Sequence, residues 1–186
     1  MASSGAARSR VPHILIVDSF SSDNRGDAAI LTTMIDSLED NLGDVELKVH
    51  SNYPTVAQAT HRIKAGRPLF VTFRGENTRI QRQLDRLRRV PLLGKWLESL
   101  ARWLFNAQVT ATAWGKFALV CLLAIPCRLG WDVGRWPLIG RWHSFVDYCR
   151  ADVIWGIGGT FYNDNYRLSL KGRLLNLLSG RLLDKL

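Results

Sequence analysis

Asparagine, aspartate and glycine crowd one short stretch, DSFSSDNRGDAAIL, residues 18–31. An apolar run, HILIV (residues 13–17), feeds into it, and a helix-period pattern leaves it. At such a strand-to-helix turn Gly26 lets a ligand approach the backbone, and ligands of open α/β sheets bind at the carboxyl ends of the strands. The competing role is capping. With Asp23 or Asn24 as N-cap, Gly26 and Asp27 fall in the first helical turn, where a carboxylate complements the free N–H groups and the helix dipole. Capping accounts for Asp23 or Asn24 but gives no reason for Gly26, since glycine at a helix start costs stability relative to alanine.

A second stretch, DVIWGIGGTFYND (residues 152–164), repeats the logic: an apolar run, then Gly156, Gly158 and Gly159, then Asn163 and Asp164. It is not a dinucleotide fingerprint, because G-x-G-x-x-G requires glycine where Phe161 stands, and that argues against NAD. The glycines either let strand and helix pack closely or present a backbone surface to a ligand, with Asn163 and Asp164 at its rim. His13, His50, His61 and His143 lack metal-site spacing, so no metal is expected. No G-x-S-x-G elbow occurs.

These turns need elements to hold them. Residues 13–17 read as a strand buried on both faces. Ile30, Leu31, Met34, Ile35 and Leu38 recur at helical spacing, and Asn41 and Gly43 can end that helix. Val45, Leu47 and Val49 alternate with Glu46 and Lys48, giving a second strand and a β-α-β unit that favours a parallel sheet. Residues 69–73 read as a strand, residues 152–157 as another, and Trp142, Phe145, Val146 and Cys149 share a helix face. The fold class expected is α/β, a Rossmann-like parallel sheet over residues 12–186 behind a flexible start at 1–11.

Residues 78–140 form a helical insertion. An Arg-rich helix over residues 79–89 is broken by Pro91; a second apolar face follows at Trp96, Leu97, Leu100, Trp103 and Leu104; then residues 117–126 are apolar throughout. That last run is shorter than the roughly 20 residues a bilayer span needs, so a transmembrane helix is not expected. A basic, Trp-edged, amphipathic hairpin suits a membrane surface, and packing on its own domain is the alternative. The chain's last stretch, residues 166–186, is leucine-rich, basic and helix-like apart from Gly172 and Gly180, and reads as a fold cut short or a helix that docks on absent material.

The 186 residues suit one domain or one domain with an insertion, and 47% hydrophobic residues can fill a core. A net charge of +9 favours anionic partners. Nucleic acid is not favoured, since no nucleic-acid module is recognisable. Three cysteines without a CxxC fit a reducing cytoplasm rather than a disulfide framework. The apolar run after Arg8 and Arg10 is interrupted by Asp18, too soon for a signal peptide.

Taken together, NRGDAAIL and ADVIWGIGGTFYND resemble the polysaccharide pyruvyl transferase family, over roughly residues 14–164. Asn24, Gly26 and Asp27 match its first motif; Asp152, Gly158 and Gly159 match its second, with Asp164 a weaker match. The resemblance implies two facing Rossmann-like domains, similar to GT-B glycosyltransferases, of which this chain resembles the first half; the second domain, or a partner subunit, is expected to be missing. It implies transfer of the enolpyruvyl group of phosphoenolpyruvate, as donor substrate and without another cofactor, onto a sugar of a cell-surface polysaccharide precursor, such as a lipid-linked oligosaccharide. Asp27 and Asp164 would border the cleft, and Asp152 would be structural. The expected location is cytoplasmic, peripheral on the inner face of the plasma membrane. A non-catalytic α/β binding module and a GT-B glycosyltransferase using a nucleotide sugar are the alternatives.

Overall fold

The computed structural model describes residues 11–19, 25–70, 94–157 and 167–185. Four strands form one all-parallel sheet. In chain order the elements are β1 (His13–Ser19), α1 (Arg25–Leu42), β2 (Glu46–Ser51), α2 (Pro54–His61), β3 (Lys64–Gly66), α3 (Gly94–Arg128), a 3-10 turn (Val133–Arg135), α4 (His143–Arg150), β4 (Val153–Gly156) and α5 (Arg167–Leu182). The sheet order is β3-β2-β1-β4. This is the Rossmann-like α/β arrangement expected from the sequence.

β1 is central, and its side chains alternate between two cores. Ile14 and Ile16 meet Leu47 and Val49 under the apolar stripe of α1, Leu31, Ile35 and Leu38. Leu15 and Val17 face the other way, with Ile154, beneath Phe145 and Tyr148 of α4, Val120 of α3 and Leu175 of α5. Burial on both faces is why residues 13–17 carry no polar alternation. Each such side chain contributes about 1.5–3 kcal/mol by leaving water. Gly43 ends α1 as expected, in the left-handed conformation at φ +66° that glycine adopts without steric cost, its N–H bonded to the Glu39 carbonyl at 3.0 Å.

Several elements depart from the sequence reading. The strand expected over residues 69–73 is not seen at its described end: Leu69 and Phe70 are buried in a bend, and residues 71–73 lie outside the described residues. The sheet edge is instead β3, three residues long and without a periodic pattern to reveal it. α2 was also hidden; Pro54 opens it, at a position whose missing N–H costs nothing. The Arg-rich helix at 79–89 lies outside the described residues.

The hairpin expected within the insertion is, over its described part, one continuous 35-residue helix, α3. Its interruptions are weak: Gly115 is tolerated in mid-helix at about 1 kcal/mol, and Pro126 falls in the last turn. The length argument against a membrane span therefore fails, because Lys95–Arg128 is long and apolar enough by length and composition alone. Nor does α5 break at its glycines: Gly172 and Gly180 both lie inside it. It lies on β1 and β4, and a Cβ on Gly180 would sit 3.3 Å from Ile154, so the glycine sets a close helix-to-strand approach. The chain then returns beside β4, where the Ile154 N–H donates to the Lys185 carbonyl at 2.6 Å.

Candidate functional site at the β1–β4 switch point

From β1 the chain crosses to β2 and β3 on one side, while β4 pairs on the other. The sheet therefore reverses its order between β1 and β4, and ligands of open α/β sheets bind at the carboxyl ends of the strands at such a point. Val17 pairs with Gly156, so the strands that precede the two stretches singled out from the sequence end side by side.

The end of β1 is irregular. Its ladder with β2 shifts register between Ile16 and Ser19, and Asp18 within that shift has φ +66°. Aspartate tolerates this conformation better than most residues, and a bulge of this kind re-aims the chain where a strand ends. The Asp18 side chain is buried. Its Oδ1 accepts a hydrogen bond from Asn176 Nδ2 at 2.9 Å, while Asn176 Oδ1 accepts the Phe70 N–H at 3.1 Å. Asn176, fully buried on α5, thus ties the end of β1 to the bend at residue 70. The Tyr148 phenol lies under the same corner. Burial, and next the Asp18 charge, push it well above the ordinary phenol value.

α1 begins at Arg25, which places Gly26 and Asp27 in its first turn. Burial raises the Asp27 carboxyl above the usual carboxylate value, against the opposing pull of the Arg173 guanidinium. One Asp27 oxygen is inaccessible to solvent and meets no hydrogen-bond donor among the described residues. A carboxylate serving only as a cap would be held down by helix N–H groups and dipole; Asp27 moves the other way. Arg173 itself is 1% exposed. A carboxyl with raised affinity for its proton, near a buried cation, can exchange a proton with a bound hydroxyl or carbon while the cation offsets negative charge.

Of the residues expected at the site, Gly26 and Asp27 are therefore at the switch point. Asn24, Gly158, Gly159, Asn163 and Asp164 lie outside the described residues. Asp152 is structural: its Oδ2 accepts the His13 N–H at 2.9 Å and its own N–H donates to the His13 carbonyl at 2.7 Å, clamping the entry of β4 to that of β1. Asp18, Arg173, Asn176 and Tyr148 escaped the sequence reading. Arg173, Asn176 and Ser179 had a signal, polar residues at helical spacing within a leucine-rich helix; the basic residues around them made that face look solvated.

A second polar cluster adjoins this corner, the His50 ring lying 5.8 Å from that of Tyr148 between centroids. Asp147 of α4 accepts hydrogen bonds from Lys48 Nζ at 2.7 Å and His50 Nε2 at 2.8 Å, both on β2. His50 is 1% exposed, so this group fastens α4 to the sheet rather than meeting a substrate. Among the described residues no three His, Cys, Asp or Glu side chains could hold a metal ion together.

Fold and site together define a Rossmann-like α/β protein with an acidic and cationic pair at its switch point. No family model matches the chain, and no match was found among curated proteins or solved structures.

Proposed function

We propose that this chain is a pyruvyl transferase-like domain that moves the enolpyruvyl group of phosphoenolpyruvate onto a sugar at the cytoplasmic face of the membrane. The observation that carries this reading is the pairing of β1 with β4, the strands that precede the NRGD and glycine-rich stretches in sequence, with Asp27 in the first turn of α1 under the influence of Arg173. In the reaction the donor's methylene carbon gains a proton, a sugar hydroxyl adds to the carbon bearing phosphate, phosphate leaves, and a second hydroxyl closes the ketal. Asp27, with its raised pKa, suits the proton exchange; Arg173 suits the stabilisation of negative charge next to it. In the resembling family the main cationic donor-binding groups and a key histidine lie largely in a second domain, so the reaction is tested with this chain alone and with such a domain supplied.

The test is phosphate release from phosphoenolpyruvate with a polyprenyl-pyrophosphate sugar. Asp27→Asn is expected to lower turnover by about 10²-fold or more, the usual size of an acid–base contribution. Its thermal stability should hold or rise, because a carboxyl raised by burial costs folding energy when ionised. Unchanged turnover would return Asp27 to a structural role. A second reading, a non-catalytic binding module, is favoured by the depth of Arg173, which suits charge balance within the fold. No phosphate release from the complete system would select it.

A further inference from the structure

α3 has two opposite faces. Over its second half Val120, Leu123 and Ala124 are buried in the core, with Phe117 against Phe70 at 6.3 Å between ring centroids. On the other side, Trp96, Trp103, Leu104, Trp114, Leu122 and Ile125 are each more than half exposed. At 3.6 residues per turn these six fall within an arc of roughly 100° that runs the whole length of the helix. Leu100, Ala107, Ala111, Ala118 and Cys121 complete that arc, so no charged or polar amide residue interrupts it. Lys95, Lys116 and Arg128 stand off the arc.

Past the helix, Leu129, Trp131 and Leu138 are also more than half exposed. Residues 94–142 hold six of the chain's seven tryptophans, and six Lys or Arg against two Asp or Glu. Tryptophan prefers the boundary between lipid and water, and the positive balance complements an anionic surface. A partner helix also packs along a straight stripe, but the exposed tryptophans spread along the roughly 50 Å of this one and its basic flanks suit lipid. Spanning is disfavoured by the folded domain itself. Over its second half the side of α3 opposite the stripe packs on Phe70 and α5, parts of a domain whose polar sheet edges cannot enter hydrocarbon.

The geometry points to α3 as a membrane-surface helix that lies in the interface of an anionic bilayer, with the Rossmann-like domain held against that surface. This inference stands on the α3 surface alone and does not depend on pyruvyl transfer. It also sets a direction: a site on such a domain is brought to substrates carried in lipid headgroups.

The full chain is mixed with phosphatidylcholine vesicles with and without phosphatidylglycerol. It should sediment with the anionic vesicles. Binding should weaken but persist in salt that shortens the Debye length to about 3 Å, because the apolar part is not screened. Tryptophan emission should shift to the blue and be quenched by lipids brominated in their acyl chains. Trp103→Glu and Leu122→Glu, both at exposed positions, should each weaken binding by about tenfold or more. Leu178→Glu, an exposed leucine on α5 off the stripe, should leave it unchanged. The inference is overturned if the chain stays in the supernatant. It is equally overturned if the stripe proves to be covered by a second copy, seen as a dimer that Leu122→Glu dissociates without vesicles, or by another segment of this chain, seen as tryptophans that brominated lipid cannot quench.

Discussion

Removing the Asp147 carboxylate is the sharpest test of how this domain is held together. Asp147 joins two elements far apart in sequence, receiving Lys48 and His50 of β2 on separate oxygens. The side chains of Asp147, His50 and Lys48 are 13%, 0% and 33% exposed. Hydrogen bonds to a charged group contribute about 1.5–3 kcal/mol when buried. The His50 bond deserves that range; the Lys48 bond, at a third exposed, is discounted to roughly 0.5 kcal/mol. Asp147→Ala should therefore destabilise by about 2–4 kcal/mol, His50 being left buried with neither ring nitrogen satisfied. For a domain of this size that is a fall in Tm of roughly 5–15 °C.

The pH dependence has a defined sign. Burial pushes the Asp147 carboxyl up, but the bonds from His50 and then Lys48 outweigh it, and the net value lies below the ordinary one. The unfolded chain then takes up the proton first as pH falls. Asp147 contributes its full stabilisation above the ordinary carboxylate value and loses it as pH drops towards the lowered folded value. Urea unfolding of wild type and Asp147→Asn across that window checks this. Wild type should lose stability the more steeply of the two. Parallel curves, or a loss under 1 kcal/mol for Asp147→Ala, would refute the argument that this buried pair fastens α4 to β2.

Two further outcomes are expected. Gly115→Ala, in mid-α3 with open space where the new Cβ would sit, should raise stability by about 0.5–1 kcal/mol in thermal melts through helix propensity alone. Cys127 and Cys149, with sulfurs 3.9 Å apart, have thiols raised by burial. In mass-detected alkylation near pH 8 both should stay largely unmodified in the native protein and react once it is unfolded in urea.

The fold class was legible because its central strand leaves no ambiguity. Residues 13–17 are apolar on both alternating sets, the helix of Leu31, Ile35 and Leu38 follows at period 3.6, and Leu47 and Val49 return at period 2. These are local patterns, written wherever one element buries one or both faces. The turn at Asp27 was legible for the same reason, since polar residues packed between a strand and a helix stand out in a linear reading. The stripe on α3 was partly legible: its tryptophans and basic residues were visible, but residues 96–104 and 117–126 read as separate apolar segments rather than one helix.

What the tertiary structure alone decided is which distant residues share a location. Arg173 and Asn176 are separated from Asp18 by more than 150 residues of chain, and only the docking of α5 against β1 brings them to the switch point. Asp147, Lys48 and His50 meet only because α4 packs across β2. In each case the polar group reads as a surface residue in sequence, because charge and spacing record what a side chain prefers in water. Whether it is buried depends on partners that satisfy it there, and those partners come from elements whose approach no local pattern encodes.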